Sequence, residues 1–333
     1  MPPEAAVLSP AHTARLPVAW RAPLAALGLS VLVLVGVTAG SWGAMLHQWW
    51  NIDTYNHLLL VPFIIGWLVA LKEHDLAKLA PQPFWPGLVA VAAALGLWWA
   101  GEAYGISLVA QAGAVGAVQA AVVTLLGLRA SLVLALPIAF AAFMVPFGDE
   151  IIPPLQDLTA QIAIALTHAS GVAARIEGIH IHTPAGLFIV AEACAGVKFL
   201  IAMVTLGVLV CATRFTRWDK RAAFMAACIV VPVLANGVRA WATIYVAQFI
   251  GAEKATGFDH IVYGWVFFAI VIAVLLGAAW RFVEREPETY GWPLAAIGTW
   301  GWVARAETYR LAPISAALAI VAFAGVAALA ALL

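Results

Sequence analysis

The sequence predicts an all-α polytopic membrane protein with about eight or nine transmembrane helices, plus a short β-hairpin and an interfacial helix on the outer face. Apolar residues make up 64% of the 333 residues and charged residues only 10%, whereas a soluble domain has about 45–50% and 25%. Seventeen Lys and Arg residues balance seventeen Asp and Glu residues. The chain therefore lacks the basic surplus typical of proteins that bind nucleic acid.

Several apolar segments are long enough to cross a bilayer, which needs about 20 residues in a helix. The candidate spans are residues 23–46, 57–71, 86–102, 106–127, 130–147, 195–212, 222–249, 261–282 and 312–333. The first 22 residues do not resemble a cleaved signal peptide. We expect four parts in chain order: a cytoplasmic segment at 1–22, a membrane domain at 23–285, a cytoplasmic loop at 286–311 and a last transmembrane helix at 312–333.

Lys and Arg residues concentrate in the loops on one side of these spans. With the N-terminus inside and nine spans, the inner segments carry thirteen of the seventeen, and the outer segments carry only Arg175 and Lys254. Cytoplasmic loops of membrane proteins show such an excess. The distribution therefore predicts this orientation, which leaves the C-terminus outside.

Residues 148–193 connect the fifth and sixth spans on the predicted outer face. Within them, 155–173 has a helical period but carries an Asp, a His and two Gln residues, which favours an amphipathic helix lying at the interface over a span.

A β-hairpin is predicted after this helix. Apolar residues alternate at Ile179 and Ile181 and again at Leu187 and Ile189, on either side of a Thr-Pro-Ala-Gly turn. Open strand edges do not occur against lipid. We therefore expect the hairpin to lie outside the bilayer or to pack on the helices at its outer surface.

Cys194 is the first candidate for chemistry. The three cysteines include no CxxC pair, and Cys211 and Cys228 lie in apolar runs typical of small core residues. Cys194 precedes the predicted sixth span, where the partial positive charge of a helix N-terminus favours a thiolate. Lys198 follows one helical turn later on the same face. An inert buried Cys beside a snorkelling Lys would give the same pattern.

A second polar group lies in the seventh span, at Asn236, Gly237 and Arg239. Arg239 follows Arg221 by about 27 Å of helix, against a hydrocarbon core of about 30 Å. It therefore reaches the outer boundary, level with Cys194. An interfacial Arg that snorkels to the headgroups explains Arg239, but not the Asn and Gly beside it.

A third polar group opens the eighth span, where His260 and Tyr263 share a helix face. A His can act as a general base near neutral pH, although an interfacial His beside an aromatic belt has the same appearance. Together, a thiol, a guanidinium and an imidazole reach one membrane level from three spans. That set supplies the nucleophile, charge stabiliser and proton shuttle of acyl transfer.

Two other functional classes remain open from the residues alone. Intramembrane Arg, Lys and His residues also mark transport paths, although the internal repeats common in transporters are not evident. His180 and His182 alternate correctly for two metal ligands on one strand face, but the sequence has no HExxH motif and no third ligand beside them. We therefore expect no cofactor and no metal, and a polytopic transporter with an Arg/His path stays as the alternative.

Three segments of the chain resemble the signature segments of the exosortase/archaeosortase family, most closely its exosortase A group: VAEACAGVKFLIAM, VPVLANGVRAWATIY and GFDHIVYGWVFF. Two further stretches, DTYNHLLLVPFIIGWLVAL and FMVPFGDEIIPPLQDLTAQIA, match the same pattern. The resemblance covers roughly residues 40–285.

The resemblance implies an integral membrane cysteine transpeptidase or protease at the outer, periplasmic face of a bacterial inner membrane. Its protein substrates would carry a C-terminal tail made of a Pro-Glu-Pro motif, an apolar helix and a basic cluster. For the exosortase A group, a linked extracellular polysaccharide system is also expected.

The resemblance also assigns roles to residues. The family nucleophile, which forms an acyl thioester, corresponds to Cys194, and the family His corresponds to His260. The family Arg corresponds to Arg239, either as a proton donor or as an oxyanion stabiliser. Supporting positions in the same motifs are Glu192, Asn236, Gly237, Lys198 and Tyr263.

The chain departs from the family pattern in two places. After the nucleophile the family commonly reads Cys-Ser-Gly-x-Arg, whereas this chain has Ala195 and Lys198. Arg and Lys are not interchangeable at a bidentate site, so we expect Lys198 to have a positional role. Some exosortase A chains end in a soluble domain, whereas this one ends in the apolar span 312–333.

Overall fold

Helices dominate the chain, because in a bilayer only a helix or a closed barrel satisfies every backbone polar group. The computed structural model describes residues 17–258 and 264–332. The first eight helices are α1 (Arg21–Val37), α2 (Ala39–Asn51), α3 (Val61–Ala70), α4 (Glu73–Leu76), α5 (Gly87–Ala103), α6 (Ser107–Val133), α7 (Ala135–Phe140) and α8 (Ile152–Ala169).

A small sheet interrupts the helices. Its strands are β1 (Arg175–Glu177), β2 (His180–Thr183) and β3 (Gly186–Ile189). The helices that follow are α9 (Val197–Arg214), α10 (Trp218–Ile250), α11 (Ala252–Phe258), α12 (Gly264–Trp280), α13 (Leu294–Thr299), α14 (Gly301–Ala306) and α15 (Pro313–Ala330). Short 3-10 turns lie at Val18–Trp20, Asn56–Leu60, Ala141–Met144, Asp149–Ile151, Glu192–Cys194 and Pro287–Thr289.

The predicted polytopic membrane fold is confirmed. Among the described residues, six helical segments are long and apolar enough to cross a membrane: Val18–Val37, Pro86–Ala103, Ser107–Val133, Val197–Arg214, Trp218–Ile250 and Pro313–Ala330. The number rises to eight if each of two broken helix pairs is one span, namely Ala39–Asn51 with Asn56–Ala70 and Ala135–Met144 with Asp149–Ala169.

Some span boundaries differ from those predicted. The predicted end of the fourth span at residue 127 coincides with a break in α6, because Gly127 has a non-helical φ of +78° and ψ of 172°; the helix then resumes and reaches Val133. The predicted second span, 57–71, contains a 3-10 turn followed by α3, which has only 10 residues. Hydropathy locates an apolar segment but does not locate a break within it.

The chain forms two compact units. The first contains the described residues in 1–43, 61–144 and 291–333. Its core is formed by α1, α5, α6 and α15, and many of the buried residues are small, among them Ala117, Ala121, Ala316 and Ala317. Small residues let transmembrane helices approach closely.

The second unit comprises residues 44–60 and 145–290. In it, α8 begins at Ile152, with prolines in its first turn. A helix is thus confirmed at the expected place, with slightly earlier bounds than 155–173, and its position at the interface stays a prediction. Its inner face packs on α10 and on the sheet and is fully covered at Ala160 and Ala163.

The predicted hairpin is confirmed, with a third strand added. The strands are antiparallel in the order β1-β2-β3, and Ile181 lies opposite Phe188. These two residues are buried in a core shared with α8 and α10. Leu187 and Ile189, whose alternation indicated the second strand of the hairpin, are about half exposed, at 50% and 53%. The sequence Gly-Leu-Phe-Ile is apolar at every large residue, so the pattern alone does not fix which face is buried.

The opposite end of this unit is held together by the carboxylate of Glu284, which follows α12. It accepts hydrogen bonds from the backbone N–H groups of Thr216 and Arg217, at 2.7 and 2.9 Å, in the turn between α9 and α10. It also pairs with Lys220 at 2.8 Å. The Lys220 ammonium and these backbone donors hold the pKa of Glu284 far below its usual range.

Candidate active site

Cys194 lies where the sequence predicts, immediately before a helix. It ends the 3-10 turn Glu192–Cys194, and its N–H donates to the carbonyl of Ala191 at 2.8 Å. Gly196 is the N-cap of α9, which begins at Val197. The free N–H groups and partial positive charge of an 18-residue helix are therefore next to the thiol. Cys194 is partly exposed.

Asn236 of α10 fixes the backbone of this turn. Its side-chain amide donates to the carbonyl of Cys194 at 2.8 Å and to the hydroxyl of Thr159 on α8 at 3.1 Å. Gly196 has a φ of +81°, and a Cβ there would lie 2.7 Å from Asn236 Cγ. Only glycine tolerates both the backbone angle and the contact. Asn236 itself is buried, at 4% exposure.

Cys194 and Arg239 line the same cavity. Its volume is about 180 Å³, and its polar lining includes Asn236 and Thr243 in addition to Arg239. The rest of the wall is mainly apolar and comes from β2, β3, the segment after β3 and α10. Arg239 is only 8% exposed, so its charge is held at the cavity and not in bulk solvent.

Gly237 allows α8 to pack closely on α10 at the level of the site. A Cβ at Gly237 would lie 2.4 Å from Cγ2 and 2.7 Å from Cβ of Ile162. The absence of a side chain therefore brings Thr159 within reach of Asn236. The supporting position predicted from the motif is thus a packing position in the fold.

Lys198 and Glu192 flank the nucleophile turn in different ways. Lys198 is on α9, and its charge interacts with Asp53, Arg239 and Cys194. Because α9 starts after Cys194, helical spacing does not produce this proximity, contrary to the one-turn argument from sequence. The ammonium also lies 5.2 Å from the ring centre of Phe199. Glu192 is exposed, and its carbonyl accepts the N–H of Ala195 at 3.0 Å.

Three residues near the site had no role in the sequence analysis. Thr159 accepts from Asn236, and Gln156, one turn earlier on α8, donates to the carbonyl of Val190 at 2.8 Å. Asp53 lies within electrostatic reach of Lys198. All three fall in the two additional stretches that match the family pattern. Their polar character within those apolar stretches was the sequence signal that could have indicated a role at the site.

The remaining candidates are distributed as follows. His260 and Tyr263 lie outside the described residues; α12 begins at Gly264, where an added Cβ would lie 3.4 Å from the Arg239 guanidinium carbon. His180 and His182 both lie on β2. Within 17–258 and 264–332, no group of three or more His, Cys, Asp or Glu side chains is arranged to hold a metal ion.

The arrangement places a thiol beside a helix N-terminus and a nearly buried guanidinium on one cavity. Such a pair can provide a nucleophile and a stabiliser for the negative charge that develops on an attacked carbonyl. The cavity is smaller than the roughly 300–1,000 Å³ of sites for small organic ligands. It suits a side chain of a longer substrate better than a whole small molecule.

Comparison with known proteins identifies the family. The family model described as transmembrane exosortase (Exosortase_EpsH) matches residues 49–277, which include Cys194, Asn236 and Arg239. The comparisons with curated proteins and with solved structures gave no significant match. The match covers more than half of the chain and agrees with the six to eight candidate spans found among the described residues. The chain is therefore a multi-pass membrane protein that belongs to the transmembrane exosortase family.

Proposed function

We propose that the protein is a membrane cysteine transpeptidase or protease that removes C-terminal sorting tails from exported proteins through an acyl thioester on Cys194. The observation that carries the proposal is the shared cavity of Cys194 and Arg239, with Asn236 fixing the nucleophile turn. Membership of the exosortase family supports it.

In the first step the Cys194 thiolate attacks the scissile carbonyl and forms a C–S bond. Arg239 stabilises the oxyanion. An arginine is protonated at any physiological pH and does not give up its proton readily, so of its two possible roles we choose this one. His260 is the proposed proton donor to the leaving nitrogen, since its ordinary pKa is near neutrality. The C–N bond then breaks, and the tail departs.

In the second step an acceptor attacks the thioester carbonyl, His260 takes up the proton of the acceptor, and the C–S bond breaks to restore the Cys194 thiolate. Water as acceptor makes the protein a protease, and an amine makes it a transpeptidase. The α9 N-terminus beside Cys194 favours the thiolate needed for the first step and regenerated in the second.

The proposed substrates are membrane-anchored proteins whose tail contains a Pro-Glu-Pro motif, an apolar helix and a basic cluster. Such a helix partitions into the bilayer and would present its cleavage motif at the interface. We propose that the site lies at the periplasmic face of a bacterial inner membrane. The loops on the opposite side of the predicted spans carry most of the Lys and Arg residues, which is typical of the cytoplasmic side. Arg175, Lys198 or Arg239 would offer a positive charge to the Glu of the motif.

The test is co-production of the protein with a tagged protein that ends in such a tail, followed by immunoblotting. Wild type should shorten the substrate, and Cys194→Ala should leave it intact while still inserting in the membrane. Cys228→Ala is the matched control, because Cys228 is fully buried among apolar side chains away from the cavity. Cleavage by Cys194→Ala would show that Cys194 is not the nucleophile. Failure of wild type to shorten the substrate would contradict the proposed activity.

A further inference from the structure

We propose that the substrate peptide binds as an added β-strand on the free edge of β3, with its scissile bond carried past Cys194. This rests on the proposed function, which it extends from the reacting atoms to the recognition of the peptide backbone. β3 is an outer strand of the sheet, since the order is β1-β2-β3.

The hydrogen bonding of the hairpin fixes which backbone groups point to the edge. The N–H of Val190 donates to the carbonyl of Ile179 at 3.0 Å. Phe188 and Gly186 lie two and four residues earlier in the strand, so their N–H and C=O groups also point toward β2. In an antiparallel pair the intervening residues turn their N–H and C=O groups away. Leu187 and Ile189 therefore face the free edge.

Three groups on this edge have no hydrogen-bond partner within the described residues. They are the N–H and C=O of Leu187 and the N–H of Ile189. The carbonyl of Ile189 is not among them, because it accepts the N–H of Ala191 at 2.9 Å. An extended peptide is the ligand that matches a row of strand donors and acceptors. The edge offers it two donors and one acceptor.

The two edges of the sheet are protected differently. β1 carries the exposed Arg175 and Glu177, which form an ion pair at 3.3 Å, and charged side chains deter edge pairing. β3 has the sequence Gly-Leu-Phe-Ile and carries no charge. An open apolar edge is a pairing surface unless something covers it, which favours β3 as the edge that receives a strand.

The edge leads directly into the proposed active site. Phe188, Ile189, Val190 and Ala191 line the same cavity as Cys194 and Arg239. A peptide paired with β3 would therefore lie along one wall of that cavity, and one of its side chains could fill it. This continuity selects the substrate peptide as the occupant in preference to a second copy of the chain.

The proposed tail fits the edge in one respect that can be tested. A Pro-Glu-Pro segment has a single backbone N–H, on its Glu, because proline has none. Within the described residues, this edge has one carbonyl without a hydrogen-bond partner, that of Leu187. Pairing these two groups would turn the tertiary amide nitrogens of both prolines away from the sheet. Their lack of an N–H would then cost no hydrogen bond with β3.

The first test uses wild-type protein and the Cys194→Ala variant in lipid nanodiscs, with synthetic tail peptides that carry one N-methyl amide each. Methylation of the Glu amide should weaken binding to Cys194→Ala and raise the KM of wild type by about three- to tenfold, as expected for one lost hydrogen bond. Methylation of an amide three residues from the Glu on either side, which the same alternation turns away from β3, should have little effect. Equal tolerance at every position would overturn the docking proposal even if cleavage is normal.

The second test changes the protein edge. Ile189→Pro removes one edge donor, and Ile176→Pro is the matched control, because the N–H of Ile176 points to the outer edge of β1 by the same phase argument. We expect a raised KM for the first variant alone. Hydrogen exchange at Leu187 and Ile189 should slow when peptide binds Cys194→Ala.

The outcomes separate the two proposals. Peptide-dependent protection without cleavage by wild type would retain the docking site and contradict the proposed activity. Cleavage by wild type without peptide-dependent protection at these amides would retain the proposed activity and contradict the docking site. Protection that depends on protein concentration and not on peptide would assign the edge to a second copy and overturn the docking proposal.

Discussion

At the residue scale, the best-defined interaction of the site is that of Asn236. Its amide joins the carbonyl of Cys194 to the hydroxyl of Thr159, so one side chain connects the nucleophile turn, α10 and α8. Both bonds are largely shielded from water, and each donor or acceptor left unpaired in such a place costs about 1–3 kcal/mol. Asn236 thus acts on the position of Cys194.

Asn236→Ala should lower kcat by roughly ten- to a hundredfold with little change in KM, because a displaced nucleophile loses its alignment with the carbonyl. The free energy of unfolding should fall by about 1–3 kcal/mol. Kinetics and thermal unfolding in nanodiscs measure the two effects. Thr159→Val, which removes only the second bond, should give a smaller loss of kcat. A wild-type kcat for Asn236→Ala would contradict the positioning role.

At the element scale, the site depends on the close contact of α8 with α10. α8 supplies Thr159 to Asn236 and Gln156 to the carbonyl that follows β3, so its position sets both the nucleophile turn and the cavity wall. Gly237 makes this contact possible, because a Cβ there would overlap Ile162.

Gly237→Ala should reduce the free energy of unfolding by about 1–3 kcal/mol, the usual range for overpacking. Gly277→Ala is the matched control: Gly277 is also in a helix of the second unit, but an added Cβ meets nothing within 4 Å. There the replacement should be neutral or slightly stabilising, since alanine favours the helix. Tryptophan fluorescence during thermal unfolding compares the two. An equal effect of both variants would exclude the contact as the cause.

Glu284 is a second determinant at this scale, far along the chain from the nucleophile. Its carboxylate is the stabilising form, because its pKa in the folded protein lies below the ordinary value of 4.5. The contribution is therefore fully present above that value and is lost as the pH falls below it.

Glu284→Gln should lower the midpoint of thermal unfolding at pH 7, because the ion pair with Lys220 is lost. The difference in midpoint between the variant and wild type should shrink as the pH falls below about 4.5, because the stabilisation by the ionised Glu284 carboxylate then decreases. Unfolding scans at pH 7 and at acid pH measure this. A difference that stays constant with pH would show that the charge of Glu284 is not the cause.

At the scale of the whole molecule, the sequence predicted the membrane fold, the hairpin and the position of Cys194 before a helix. It did so because hydropathy and turn residues are local signals. It did not predict that Phe188 faces the core, because β3 is apolar on both faces. It also gave no role to Thr159 or Gln156, since contacts between α8 and its partners depend on packing that periodicity does not encode.

The candidate site was partly predictable for the same reason. Cys194, Asn236 and Arg239 stand out as polar residues in apolar surroundings, and the structure brings them to one cavity or its wall. The interaction of Lys198 with Asp53 joins segments almost 150 residues apart, which only the fold reveals. The roles of His260 and Tyr263 and the assignment to the exosortase A group stay predictions.

The most direct measurement for the central claim is the mass of the protein after it is mixed with a tailed substrate and quenched in acid. We expect the N-terminal portion of the substrate to be attached to the peptide containing Cys194. Neutral hydroxylamine should release it, as expected for a thioester, and Cys194→Ala should form no adduct. An adduct on another residue, or cleavage of the substrate by Cys194→Ala, would contradict the account.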